Sequence, residues 1–228
     1  MNQTLKWSSE SERYVKKFIN DENVYYKKYL DLFKNTKISN VLDVGCGNGN
    51  VLNYLINRNK NLKSGIGVEP SNKAILLLNK KYYKKKLKFI SAFNHNLPFK
   101  DNEFDLVVSW GVLSWIDRNN YLQSLGELCR VTNKYLFIFD FYSIHNFYTD
   151  YKHKKNFKTF RVDGTKIILE TGKFEVVKEE LFLGDHYEGK KTNINNLKKN
   201  FNLNKHSRKI SIFKKLNTNR FNFKKVSF

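Results

Sequence analysis

The stretch Val41-Leu42-Asp43-Val44-Gly45-Cys46-Gly47-Asn48-Gly49 constrains this chain more than any other. An apolar run ends in a carboxylate and turns at once through three alternating glycines. Helical spacing resumes behind them at Val51, Leu52, Leu55 and Ile56. A strand that turns so tightly into a helix opens a βαβ unit, and such units close right-handedly into a parallel sheet. Glycine lets the backbone turn sharply and lets a ligand come close to it. The helix N-terminus that follows offers free N–H groups. A dinucleotide fingerprint needs its third glycine one place later, where this chain has Asn50. The turn therefore suits a smaller nucleoside ligand, with Asp43 accepting a hydrogen bond from a bound ammonium directly or through water.

Glu69 is an independent second signal. It ends the next apolar run, residues 64–69, and lies 20 residues beyond Gly49. An acid there takes hydrogen bonds from both ribose hydroxyls. Further strands are expected over residues 87–90, 104–109 and 135–139. Helices are expected after Pro70-Ser71, with Ala74, Ile75 and Leu78 on one face, and over residues 121–130. Before the first strand, residues 9–33 read as a helix with Tyr14, Phe18, Tyr25, Tyr29 and Leu32 on its apolar face. After Asp140 the pattern weakens. Residues 141–160 read as loop and short helix over the sheet edge, and residues 174–183 and 209–216 as two strands. The Asn/Lys-rich insertion at about 186–207 contains Ile194, Leu197, Phe201 and Leu203, which suit a docked helix or a flexible loop equally. A cap over residues 1–36 and a catalytic domain over 37–228 follow.

At 228 residues, 40% hydrophobic and 28% charged, the chain is neither disordered nor fibrous. Two cysteines, Cys46 and Cys129, cannot make a disulfide framework, which suits a reducing, cytoplasmic setting. No apolar run approaches the roughly 20 residues that span a bilayer. No paired Cys or His pattern suggests a metal. The formal net charge is +21. Residues 186–228 carry twelve lysines and arginines against one acid, Glu188. A basic end of this kind attracts nucleic acid, an anionic membrane or a nucleotide-linked substrate, and also arises by codon drift on a solvated surface.

Five segments together resemble the class I S-adenosylmethionine-dependent methyltransferases. They are Asp43 to Gly49, Gly67-Val68-Glu69-Pro70-Ser71, Leu97 to Ser109, Gly111-Val112-Leu113 and Glu127-Leu128-Cys129-Arg130-Val131. The resemblance covers roughly residues 38–142. It implies an α/β, Rossmann-like, seven-stranded, mostly parallel sheet of order 3-2-1-4-5-7-6, its last strand antiparallel and helices on both faces. It implies S-adenosyl-L-methionine as cofactor. Asp43, Gly45, Gly47 and Gly49 would hold its methionine part and Glu69 its ribose. Pro70 and Ser71 would border the adenine, and Ser109, Trp110 and Gly111 would line the sulfonium side. The family often has an aspartate after the third strand for the adenine amine; here Asn94, Ser91 or a backbone group would replace it. A further similarity, through Gly111 to Ile116, Arg130 to Tyr142 and Phe157 to Asp163, is to methylases associated with pseudaminic acid and other surface polysaccharides. It implies a sugar or nucleotide-linked sugar precursor as the small-molecule acceptor.

An alcohol acceptor must lose its proton. His145, just past the fifth strand, is the first candidate base, with Asp140 or Tyr142 nearby and His153 and His95 as alternatives. Trp110, Trp115 and Tyr142 could stack on a sugar or serve as packing. Trp7, Tyr14, Tyr25 and Tyr26 could form a lid. Ser109-Trp110-Gly111-Val112 stands where exocyclic-amine DNA methylases carry Asp/Asn-Pro-Pro-Tyr/Phe, and neither cysteine is placed for cytosine-C5 chemistry. An RNA methyltransferase using the basic C-terminal region is an alternative function, and a non-catalytic cofactor-binding scaffold is another.

Overall fold

The computed structural model describes residues 3–18, 29–150, 157–184 and 190–217. Five parallel strands form the heart of one sheet: β1 (Asn40–Val44), β2 (Ser64–Glu69), β3 (Leu87–Ser91), β4 (Phe104–Trp110) and β5 (Thr132–Phe141). Two more, β6 (Phe147–Asp150) and β7 (Lys158–Arg161), pair only with each other. The sheet resumes with β8 (Phe174–Leu183), β9 (Lys190–Thr192) and β10 (Ser207–Lys215). Its order is β3-β2-β1-β4-β5-β10-β8-β9. β10 runs antiparallel to both β5 and β8.

The helices are α1 (Gln3–Phe18), α2 (Asn50–Arg58), α3 (Asn72–Lys81), α4 (Arg118–Val131), α5 (Gly164–Glu170), α6 (Ile194–Lys199) and α7 (Phe201–Asn204). Residues alternate along each strand, so each side of the sheet takes its own core. Val41, Val108, Phe137, Phe139 and Ile212 pack with Leu52 and Leu55 of α2 and Ala74 and Leu78 of α3. Leu42, Val107, Leu136, Ile138 and Phe213 pack with Leu125 and Leu128 of α4 and Ile168 of α5. Asp43 and Glu69 alternate onto the first of these faces, the side on which α1 contributes the fully buried Val15.

The sheet has eight strands, not the expected seven in the order 3-2-1-4-5-7-6. The strands expected near residues 176 and 210 lie beyond β5, with β10 inside β8, and β9 extends the edge. β10 carries Ile210 and Ile212 on one face and Phe213 on the other, so it is buried on both sides. Residues 141–160 do not form a loop and short helix throughout. β5 continues to Phe141, and β6 pairs with β7 through Phe147–Arg161 and Tyr148–Phe160. The Asn/Lys-rich insertion docks: Leu197 and Asn204 are fully buried, and Asn204 Oδ1 accepts from Ser143 Oγ (3.2 Å) and from the Ile144 N–H (3.2 Å). Of the expected N-terminal apolar face, Tyr29 is buried, but Tyr14 and Leu32 are not. Ser11 and Val15 face inward and Tyr14 is partly exposed, while around the tight turn Asp31–Phe33 it is Leu30 and Phe33 that are buried and Leu32 that is exposed. Among the described residues no helix is long and apolar enough to cross a membrane, and no cluster of His, Cys, Asp and Glu could hold a metal.

Candidate active site

At the C-terminal end of β1 the backbone folds into a cradle. Gly45 and Cys46 both donate their N–H to the Val68 carbonyl, at 2.8 and 2.9 Å, which ties the turn to the end of β2. Gly45, Gly47 and Gly49 all have positive φ (75°, 51° and 77°), a region closed to most side chains. A Cβ on Gly45 would lie 2.5 Å from Val112 Cγ2, and one on Gly49 would lie 2.8 Å from the Tyr82 ring. Tyr82 fixes the turn from below, its hydroxyl donating to the Asn48 carbonyl or to Asn50 Oδ1, each at 3.1 Å.

Two acids converge on this cradle. Asp43 and Glu69 are almost fully buried. Glu69 Oε2 accepts the Gly47 N–H at 3.2 Å. Both oxygens of Asp43 and Oε1 of Glu69 have no hydrogen-bond partner among the described residues. Burial, reinforced by the Glu69 charge, pushes the Asp43 carboxyl up to about 8. Burial pushes Glu69 up to about 7, against the lowering effect of the Gly47 N–H and the Ser11 hydroxyl. Buried carboxylates with bare oxygens are costly unless a ligand pairs with them. An ammonium and a vicinal diol are the groups that fit, and S-adenosylmethionine carries both.

α1 closes this side. Ser11 is buried and reaches Glu69, and a Cβ on Gly47 would lie 3.3 Å from the Tyr14 ring. Glu12 pairs with Lys73 of α3 at 3.8 Å. Of the four aromatic residues expected as a lid, Tyr14 is thus at the glycine turn. Tyr25, Tyr26 and the Trp7 side chain lie outside the described residues, as does His153.

The other expected contacts fall as follows. Ser71 caps α3, its hydroxyl accepting the Ala74 N–H (3.4 Å), and the Pro70 carbonyl accepts from Ser91 Oγ (3.2 Å). These bonds fix the chain where the adenine edge is expected. Asn94 turns its Oδ1 toward Ser124 of α4 (3.4 Å). Ser109 lies between Val108 and Trp110 and so points to the α4 face, leaving its backbone on the donor side. Trp110 stacks on Phe137 (5.5 Å, 6°) and leans on Phe139, so much of its ring is packing. Gly111 has φ 69° and open space where a Cβ would stand. His145 is exposed, its ring against Phe201 and its N–H on Ser143 Oγ. Asp140 faces α4 and accepts the Ser114 N–H (3.3 Å) and its neighbour Phe141's N–H (2.7 Å). Tyr142 packs against Lys209 and Asp163 on that same far side.

Sequence reasoning missed Ser11, Tyr82 and the pair Arg161 and Arg208. Phe141 continues the Phe137–Phe139 alternation at the end of β5. The guanidinium carbons of Arg161 and Arg208 lie 3.7 and 4.5 Å from its ring centre.

A glycine turn with a buried acid at each of the first two strand ends, on a Rossmann-like sheet, is an arrangement that suits a nucleoside cofactor. The comparisons agree. The methyltransferase domain family matches residues 41–134. A protein of Methanocaldococcus jannaschii with no assigned function is 35% identical over 177 residues, 72% of this chain and 73% of that one. A solved S-adenosylmethionine-dependent methyltransferase of Methanosarcina mazei superposes with a TM-score of 0.60 at 18% identity, over 79% of this chain and 94% of the other. One from Aquifex aeolicus superposes with a TM-score of 0.57 at 18% identity, over 89% and 97%. Residues 41–134 are thus a methyltransferase domain, on the fold of the solved S-adenosylmethionine-dependent methyltransferases, and its cofactor is S-adenosyl-L-methionine.

Proposed function

We propose that this methyltransferase acts in the cytoplasm on a small anionic or sugar-like acceptor, such as a nucleotide-linked sugar precursor of surface polysaccharide. The observation that carries the donor half is the pair of bare, buried carboxylates at Asp43 and Glu69. Asp43 receives the ammonium of the methionine part and Glu69 both ribose hydroxyls. Gly45, Gly47 and Gly49 leave room for the chain between them. Pro70 and Ser71 border the adenine, Asn94 or a backbone group reads its amine, and the Ser109–Gly111 backbone with Trp110 lines the sulfonium side. The cofactor, when bound, supplies an already activated methyl group. What remains for the protein is alignment of the acceptor in line with it, which is mainly an orientation effect.

The acceptor half rests on Phe141 with its two guanidinium neighbours. This cationic, aromatic shelf stands on the donor's side of the sheet, at the end of the strand next to Trp110. Arg161 is buried there and Arg208 and Phe141 are half-buried, and such a cationic, aromatic setting suits a phosphate or carboxylate attached to a ring. Asp140 and Tyr142 are turned to the far face, so His145, just past β5, is the first candidate to take an acceptor proton, with His95 the described alternative.

Incubation with isotopically labelled donor and separate pools of nucleotide sugars, free sugars and RNA tests the reading. Label should enter a small anionic acceptor. Label entering RNA alone would establish the competing assignment, and no transfer to any pool by protein that binds the donor would favour a scaffold.

A further inference from the structure

Between Val44 and Lys100 the chain holds eleven lysines and arginines and a single acid, Glu69, which is buried in the donor site. Codon drift raises lysine everywhere; it does not empty a stretch of this length of acids. The parallel topology gathers the charge at one place. Parallel strands all begin at the edge opposite the donor site. Lys37 stands ahead of β1, Lys60 and Lys63 ahead of β2, and Lys84, Lys85 and Lys86 ahead of β3, all of them exposed. The Lys63 N–H donates to the Ser39 carbonyl (2.7 Å), and the Gly65 N–H to the Lys86 carbonyl (3.0 Å). The three turns are therefore one strand spacing apart, about 10 Å in all. Lys85 reaches only a neutral partner, Asn57 Oδ1, at 3.4 Å. The acids of this edge sit at its β4 corner, where Asp101 and Asp105 are taken by Arg130 and Lys134 and the exposed Glu103 accepts the Lys100 backbone N–H at 2.7 Å. Asp31, on the flank, accepts from the Tyr54 hydroxyl at 2.7 Å.

Two large apolar side chains between β2 and β3 are exposed as well. α3 reads Ile75-Leu76-Leu77-Leu78, and Ala74, Ile75 and Leu78 already fill its core face. Leu76 is left 71% exposed on the outer face, and Tyr83, seven residues on, is 73% exposed. Tyr83 lies just past the end of α3, in the turn that leads to β3, with the Lys84 ammonium 5.4 Å from its ring centre. An amphipathic helix covering a sheet has no use for leucine there.

We propose that this face docks on an anionic bilayer surface. The lysines meet lipid phosphates, and Leu76 and Tyr83 enter the interface. A nucleic acid would use the charge but gives Leu76 nothing to do, and the face is almost all lysine, a point charge without the planar fork of arginine. Strands of five or six residues place the donor site roughly 17–20 Å away on the opposite edge, facing away from the lipid.

Flotation of the full chain with phosphatidylcholine vesicles, and with vesicles that also contain phosphatidylglycerol, tests this. The chain should bind the anionic vesicles alone, and less as salt is raised. The triple variant Lys84→Glu, Lys85→Glu, Lys86→Glu should partition well over 100-fold less, since each lysine near the surface is worth about a factor of five and each glutamate adds repulsion. The triple change to Gln should give a smaller loss of the same sign. Leu76→Ser with Tyr83→Ser should lower binding about ten-fold without changing its salt dependence. Donor affinity, read by calorimetry, should stay unchanged in every variant and so reports on folding. Equal binding to both vesicle types, or none, overturns the proposal. So does binding that survives charge reversal, which moves the contact to the C-terminal basic region. A single-stranded RNA that displaces the vesicles at physiological salt overturns it as well.

Discussion

Replacing Asp43 by asparagine should stabilise the donor-free protein, by an amount that grows with pH. Asp43 is almost fully buried, and burial, then Glu69, pushes its carboxyl up from 3.8 to about 8. The unfolded chain gives up that proton near pH 4; the folded chain keeps it until about pH 8. Over this window the folded state binds more protons, so the parent loses stability as pH rises. At about 1.4 kcal/mol for each tenfold change in proton activity, the loss between pH 5 and pH 8 is roughly 3 to 4 kcal/mol. Asp43→Asn keeps the shape and has nothing to titrate. Urea unfolding of both proteins at those two pH values, without donor, measures the difference. The variant should gain on the parent by that amount. A difference that does not change with pH, or a parent that gains on the variant as pH rises, would refute the reasoning that Asp43 is buried without a partner.

Gly49→Ala should cost about 2 to 4 kcal/mol in thermal unfolding, because a Cβ at φ 77° would lie 2.8 Å from Tyr82 and 3.0 Å from Phe89. Asn59→Ala should cost about 2 kcal/mol in denaturant unfolding. It removes the fully buried amide that donates to the Phe33 and Thr36 carbonyls, ahead of β1, each of which keeps a backbone donor, so the cost is that of the lost bonds. His145→Ala should lower methyl transfer by roughly a hundredfold or more and leave donor affinity unchanged, as measured by single-turnover rates beside calorimetry.

The donor half of the site was legible because its chemistry is local. A strand, a carboxylate and three glycines within nine residues permit few conformations, and Glu69 follows at the end of the adjoining strand. What the sequence hid depends on partners far along the chain. Ser11 turns inward because Glu69 attracts its hydroxyl, so apolar spacing alone, which put Tyr14 on the buried face of α1, missed it. The strand at 209–216 was legible from Ile210 and Ile212, but the irregularity in its pairing with β8, between Ile212 and Phe213, was not. β6 and β7 are four residues each and gain their register only by pairing with one another. Arg161 and Arg208 lie 47 residues apart and meet only because Phe141 stands between their elements.

Calorimetric titration of S-adenosylmethionine into the parent and into Glu69→Ala, with circular dichroism to verify the fold, tests the donor site most directly. Two hydrogen bonds to a buried carboxylate should be worth roughly 3 kcal/mol or more, so the variant should bind at least 100-fold more weakly while the parent takes up one equivalent. Equal affinity in a folded variant would contradict the placement of the ribose at Glu69 and, with it, the account of how this chain holds its donor.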